Sequence, residues 1–324
     1  MSGAPGAAPG GARTALFDEF VDHKRAVGYA YTGATAELVG QLSRFLDGYE
    51  PVPEVLSKGM VEDFCSPRPG EAVATRNRRI SMVRQFALFL DSRGHPCHVP
   101  PAGTEAEPRF IPYIITEDEM ARIIARAEER PTRRLSAAAT LVYPMLLRML
   151  WCCGLRLSEA LGLRLADVDL GEGVLTIRRA KHNRTRLVPM SESLTAHARS
   201  YAEAMGLAAQ DPAAFFYPGS TGGRRGRGGV LKHVKALMRR AGVAKPGGGT
   251  PRVHDFRHSH ALAALRKMDA EGVDVYCSLP LLATYLGHHD ITSTEYYLRL
   301  TTPAWDHVAQ TMEPVYQDVF PEAV

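Results

Sequence analysis

The sequence predicts a mainly α-helical protein with a small β-sheet, built as a helical N-terminal domain followed by a mixed α/β domain. Three observations carry this. Apolar residues recur at helical spacing through most of the chain. Two short strand-like runs, Val174 to Arg178 and Arg186 to Met190, flank one polar turn at Lys181 to Thr185. Between Gly94 and Pro112 the chain carries Pro96, Pro100, Pro101, Gly103 and Pro108 without periodicity, as a linker does. The 324 residues suffice for two domains at about 100 to 200 residues each. With 45% hydrophobic and 23% charged residues, disordered, collagen-like and disulfide-framework chains are excluded.

Residues 1–12, nearly all Gly, Ala and Pro, read as a flexible start. In the first domain, 13–93, Leu16, Phe17, Phe20, Val21 and Val27 form one helical stripe, and Leu38, Leu42, Phe45 and Leu46 a second. A short helix is expected around Val61 to Cys65. Ile80, Val83, Ala87 and Leu90 line a further helix whose other positions include Arg76, Arg78, Arg79 and Arg84. After the linker, 94–112, the second domain, 113–302, opens with Thr116 and Glu119 at capping-box spacing. A mostly apolar helix from Ser136 to Cys153 ends at Gly154, as a buried helix with a glycine C-cap would. Beyond the hairpin, helices are expected near Ser191 to Met205, Val230 to Ala241, His254 to Met268, Leu279 to Leu286, Thr292 to Leu300 and Pro303 to Met312, the last in a tail spanning 303–324. The Gly/Arg run Gly222 to Gly229 reads as a mobile loop.

No run approaches the ~20 apolar residues of a membrane span, and the start lacks the charged and apolar regions of a signal peptide, so a cytoplasmic location is expected. Five cysteines, odd in number and without CxxC spacing, read as reduced thiols. The net charge is only +4, but it is unevenly spread: residues 1–107 carry 11 basic and 13 acidic groups. From Pro212 to His254 there is no acid, while Arg224, Arg225, Arg227, Lys232, Lys235, Arg239, Arg240, Lys245 and Arg252 fall there. Arg178, Arg179, Lys181, Arg184 and Arg186 crowd the hairpin. Two acid-poor runs in one half of the chain point to a polyanionic partner.

Three patterns carry the chemistry. Gly154-Leu155-Arg156-Leu157-Ser158-Glu159 places an arginine just past a buried helix, with a carboxylate three residues on to hold its guanidinium. His254-Asp255-Phe256-Arg257 puts an imidazole and a guanidinium about one helical turn apart. Leu286-Gly287-His288 is followed nine residues after the histidine by Tyr297. Two arginines suit the nonbridging oxygens of a phosphodiester, because a planar fork pairs with them and stays charged. Such a pair would stabilise a pentacoordinate transition state. A tyrosine then serves as nucleophile, activated by cations and a histidine base, and a lysine can protonate the departing 5′ oxygen. A metal site is disfavoured. His254 and His258 lie at i, i+4, but no glutamate fills the HExxH position and Arg257 would repel a cation. His258 and His260 read as packing residues.

In this order and spacing the chain resembles the tyrosine recombinases, or phage-type integrases, over nearly its whole length. The family's GLR-SE segment matches Gly154 to Glu159. Its K-x-N-x-x-R-x-V-P hairpin matches Lys181, Asn183, Arg186, Val188 and Pro189. Its HxxR and LGH motifs match His254, Arg257 and His288. The resemblance implies a helical core-binding (SAM-like) domain and a tyrosine-recombinase catalytic domain. The implied catalytic residues are Arg156, Lys181, His254, Arg257, His288 and Tyr297, with Glu159 in support. It implies that Tyr297 forms a 3′-phosphotyrosine without ATP, metal or cofactor. Four protomers would assemble on two sites in double-stranded DNA, with 303–324 packing on a neighbour. Tyr296 adjoins Tyr297, but the nine-residue spacing favours Tyr297. His260 stands where the family more often has an aromatic, and His289 where it has a small polar residue. Arg76, Arg79, Arg84, Arg178, Arg179, Arg184, Arg224, Arg225 and Arg227 are the expected DNA contacts. The leading reading is the integrase or transposase of a mobile element. The alternatives are a chromosome-dimer resolvase, a type IB topoisomerase and a silent or partner-dependent DNA-binding accessory protein of the same fold. Completeness of the six positions speaks against silence.

Overall fold

Pro9 opens the first helix, α1 (Pro9–Ala26), inside the stretch expected to be flexible; proline's fixed φ suits a first helical position, where its missing N–H is no loss. The structure, a computed structural model, describes residues 9–29, 31, 33–49, 55–103, 111–129, 137–178, 185–287 and 294. Lys181, Arg179, Arg184, His288 and Tyr297 lie outside the described residues, as do His289, Tyr296, all of the helix expected at 292–300 but Thr294, the helix expected at 303–312, and the tail. The chain divides into two units, Met1–Phe110 and Ile111–Val324.

In the first unit α1 is followed by α2 (Ala34–Leu46), α3 (Lys58–Cys65) and α4 (Val73–Asp91). Their apolar stripes meet in a core around Phe20, Leu42, Val83, Phe86 and Ala87, with Phe17 stacked on Phe86 at 4.4 Å between ring centroids. Ser57 caps α3 by accepting from the Met60 N–H. Part of the expected linker belongs to this unit. The His98 N–H donates to the Leu56 carbonyl at 2.8 Å, and Arg84 donates to the Pro100 carbonyl at 2.6 Å.

The second unit begins with α5 (Glu117–Glu128), capped by the full Thr116–Glu119 box. The central helix, α6 (Ala137–Cys152), packs against α5, α8 (Glu192–Ala204) and α10 (Asp255–Ala270). Such a helix is apolar almost all round because most of it lies in the core; Val142, Leu146, Leu147 and Met149 are fully buried, and Leu141 and Cys152 are exposed. Pro144 sits within it. A short helix, α7 (Leu157–Ala160), leads into a three-stranded antiparallel sheet of β1 (Val168–Asp169), β2 (Val174–Ile177) and β3 (Arg186–Pro189) in that order. Val168 faces Leu175, Leu175 faces Val188, and Ile177 faces Arg186. The two-residue β1 is too short to leave a period in the sequence. α9 (Arg227–Arg240) and α11 (Val275–Leu286) follow, and two single 3-10 turns lie at Leu165–Asp167 and Leu207–Ala209. α10 and α11 share a small core of Ala261, Leu265, Leu279, Leu282 and Leu286.

The Gly/Arg run expected as a mobile loop is instead built into the unit. Pro218 bridges Arg224, the Gly219 N–H donates to the Gly223 carbonyl at 2.7 Å, and α9 already starts at Arg227. Glycines let this turn close, and Arg224 and Arg225 find carbonyl acceptors. No helix among the described residues is long and apolar enough to cross a membrane.

Candidate active site

The site forms where α6 ends and α11 ends. α6 stops at Gly154, whose φ of +57° suits glycine, and a Cβ there would lie 2.6 Å from the His260 ring. The chain then presents Arg156 ahead of α7. Glu159, one turn on, accepts the Arg156 backbone N–H at 3.0 Å and its Nη1 at 2.8 Å, so the carboxylate does hold the guanidinium. α11 closes at Gly287 in the left-handed region, φ +70°. The last carbonyls of a helix have no intrahelical partner and carry its negative dipole end.

Here three consecutive carbonyls each receive an arginine. Arg186 Nε donates to Tyr285 at 2.8 Å, Arg257 Nη2 to Leu286, and Arg156 Nη2 to Gly287 at 2.9 Å. Arg257 Nη1 also donates to the Gly154 carbonyl at 2.8 Å, so this arginine, 1% exposed, joins the two helix ends.

His254 stands at the N-terminus of α10, one turn before Arg257. Asp255 fixes this entry by accepting the Arg252 backbone N–H at 2.7 Å and its guanidinium at 2.9 and 3.2 Å. The His254 surface is open to solvent, yet desolvation by the protein packed round the ring, followed by the charges of Arg257, Arg252 and Arg156, pushes its pKa down to about 4. The imidazole is neutral at pH 7, and the same surroundings oppose its protonation until a negative charge approaches. Glu159 is the opposite case. Burial would raise it, but hydrogen bonds and charge from Arg186, together with the two bonds from Arg156, hold its pKa at about 2.

A cleft of about 750 Å³ opens beside Arg156. Arg164, Arg178 and Arg224 line it, with the Arg164 guanidinium 3.9 Å above the Phe215 ring. Arg178, 61% exposed, pairs with Asp167; Arg224 donates to the Ser158 carbonyl at 2.8 Å and keeps an exposed edge. Arg225 instead turns half-buried onto the Tyr143 ring and the Pro218 carbonyl, while Arg227 is exposed at the start of α9.

In the first unit the expected basic face needs correction. Arg79 is 1% exposed and points inward, donating to the Phe64 and Ser66 carbonyls and the Glu71 carboxylate. Two carbonyls and an acid hold it inside the helical unit, away from that face. Arg76 is half-buried on the Cys65 carbonyl, whereas Arg78 and Arg84 remain exposed.

One site residue was given no role from the sequence: Arg186, matched there to the hairpin motif and grouped with the other cations of the hairpin. Its signal lay in the strand period. Arg186 and Val188 share a face, and Val188 is fully buried.

His260 stacks on Tyr285 with ring centroids 5.7 Å apart. Burial pushes its pKa down to about 4, Arg257 adding to this and a hydrogen bond to the Trp151 backbone opposing it. An unfolded histidine titrates near ~6.5. Between these values the unfolded chain binds the proton and the folded one does not, so stability falls as pH falls through the window. The thermal midpoint of wild type is expected to drop from pH 7 to pH 5. His260→Gln should show a shallower drop, and parallel curves for the two proteins would refute this.

The phage integrase family model matches residues 114–303. A putative integrase/recombinase of Sinorhizobium fredii, y4rB, is 29% identical, covering 93% of this chain and 96% of its own length. The tyrosine recombinase XerC of Xylella fastidiosa is 31% identical over 85% of this chain and 86% of its own. Among solved structures, the XerH recombinase bound to difH substrate superposes with a TM-score of 0.63 at 15% identity, covering 91% of this chain and 95% of that one. The Tn1549 transposon integrase in complex with transposon right end DNA gives 0.61 at 14% identity, covering 92% and 98%. These two share the fold. The family match spans more than half of a chain whose arginines already converge on the turn before an LGH histidine, and this chain belongs to the phage integrase family, the tyrosine recombinases.

Proposed function

We propose that this chain is a site-specific DNA recombinase, the integrase or transposase of a mobile element, which cuts and rejoins strands through a 3′-phosphotyrosine on Tyr297. The observation that carries the reading is the convergence of Arg156 and Arg257 on the carbonyls of Leu286 and Gly287, immediately before His288, with a neutral His254 alongside. In this mechanism the guanidinium groups hold the nonbridging oxygens of the scissile phosphate and stabilise the charge that grows on them. The Tyr297 oxygen attacks phosphorus, and its proton passes to a histidine base. The bond from phosphorus to the 5′ oxygen breaks, and Lys181 donates the proton that makes the 5′ hydroxyl. Attack by a 5′ hydroxyl of the partner duplex reverses the step and frees the tyrosine.

The exposed arginines of the cleft, Arg178 and Arg224, and the acid-free stretch that includes Arg227 would track DNA phosphates, with Arg179, Arg184, Arg76, Arg84 and Arg225 as further candidates. In this reading the helical unit is the core-binding domain and 113–302 the catalytic domain. Four protomers assemble on two double-stranded sites and 303–324 packs in trans. The DNA-bound states of XerH and the Tn1549 integrase, and the integrase/recombinase name of y4rB, support it.

The test is covalent trapping on nicked duplexes from the ends of the DNA element carrying the gene, with EDTA present. Wild type and Tyr296→Phe are expected to give an SDS-stable adduct and Tyr297→Phe none. Site-specific binding without any adduct would instead favour a silent or partner-dependent accessory protein.

A further inference from the structure

We infer that Arg186 is a positioning residue of the strand-cleaving site: it completes a clamp of three arginines on the end of α11 and, through Glu159, sets the Arg156 guanidinium. The inference rests on the recombinase reading for what the clamp serves, though the clamp itself is a matter of geometry.

Arg186 pairs across the sheet with Ile177 and shares a strand face with Val188, both buried, so its side chain is carried inward and is only 9% exposed. A cation taken out of water is costly unless its donors are met. Here the fork closes on Glu159, Nη1 to Oε1 at 3.1 Å and Nη2 to Oε2 at 2.8 Å, while Nε reaches the Tyr285 carbonyl at 2.8 Å. Glu159 in turn takes two bonds from Arg156, one to each oxygen. The carboxylate is thus gripped on one side by β3 and on the other grips the first arginine of the site. Its orientation, and with it that of Arg156, is set by Arg186.

The same guanidinium lies against Gly287, where a Cβ would come within 2.7 Å of Nη1. The turn leading to His288 is therefore built around Arg186, and the glycine there allows the approach. Arg156 and Arg257 face phosphate in the proposed mechanism. Arg186, which directs three of its five N–H donors to Glu159 and Tyr285, acts through them. A lysine offers its three donors from a single nitrogen and lacks the planar fork that spans both carboxylate oxygens and the Tyr285 carbonyl.

The test uses the full chain with Arg186→Met and Arg186→Lys, read in two ways. In single-turnover cleavage of the nicked duplex, both variants are expected to form the Tyr297 adduct about 10²-fold more slowly than wild type, the loss that a misplacement of about 1 Å produces. DNA affinity should stay within about twofold, since Arg186 touches no phosphate. With a methylphosphonate at the scissile position one nonbridging charge is gone, so the work of Arg156 matters less. There the deficit of both variants should shrink to about tenfold or less.

An equal deficit on both substrates, or full rescue by lysine, would reduce Arg186 to structural glue and overturn the inference. The second readout needs no catalysis. Hydrogen exchange is expected to quicken in both 153–160 and 283–287 in Arg186→Met, but not in Arg199→Met, an arginine of the same unit that donates to the Leu170 carbonyl. Unchanged exchange in either segment overturns the clamp. A wild type that binds its site and yields no adduct sinks the recombinase reading instead, and the exchange comparison still decides the clamp.

Discussion

Arg79→Met is expected to destabilise the helical unit by about 3 to 5 kcal/mol, the cost of stripping one partner from a buried ion pair. Three acceptors lose their donor at once: the Glu71 carboxylate, 9% exposed, and the carbonyls of Phe64 and Ser66. Burial pushes the Glu71 pKa up, and the bonds from Arg79 and the Arg68 backbone outweigh it and hold the group below the ordinary carboxylate range. Without Arg79 only the Arg68 backbone bond and charge are left to offset that desolvation. Arg78→Met, one residue away on the exposed face, should change stability by no more than about 0.5 kcal/mol. Hydrogen exchange in α3 and α4 separates the two, since both tryptophans, Trp151 and Trp305, lie outside this unit and fluorescence would not follow its unfolding. If the two variants exchanged alike, Arg79 would have to be returned to the surface.

Under the proposed mechanism, Arg257→Met should reduce phosphotyrosine formation by about 10³-fold, the scale of losing one donor set aimed at a developing oxyanion. It should also cost stability. The guanidinium spans the Gly154 and Leu286 carbonyls, and each buried acceptor left unmet costs about 1 to 3 kcal/mol. Arg257→Lys keeps the charge but not the span, and should recover little of the rate. DNA affinity should fall by less than tenfold, because the other phosphate contacts remain. Single-turnover cleavage and a binding titration on one duplex measure both quantities. A variant within tenfold of wild type in rate would remove Arg257 from the chemistry and leave it only the role of joining two helix ends.

Much of the fold could be read from the chain before any coordinates, and where it could, local rules sufficed. The Thr116–Glu119 box, the apolar α6 and its glycine stop follow from capping and burial at neighbouring positions. Other features escaped for the same reason. The Gly222–Gly229 run has the composition of a loose loop, yet Arg224 is tied to the Ser158 and Leu161 carbonyls and Arg225 to the Pro218 carbonyl, and Ser158 and Leu161 lie far off in sequence. α1 extends back to Pro9 through residues without apolar periodicity.

The sequence by itself determined the order of the motifs, Arg156 with Glu159, His254 with Arg257, and Leu286-Gly287 before His288, and hence the chemistry they suggest. Only the tertiary structure decided which arginines do what. Arg78 and Arg79 are neighbours of one residue type, as are Arg178 and Arg186 within one hairpin. Yet Arg79 and Arg186 are interior while Arg78 and Arg178 face water. The physical reason is that burying a guanidinium is tolerable only where a carboxylate and free carbonyls already wait in place. Glu71 with the end of α3, and Glu159 with the end of α11, are such places, and each is assembled from segments that meet only when the chain has folded.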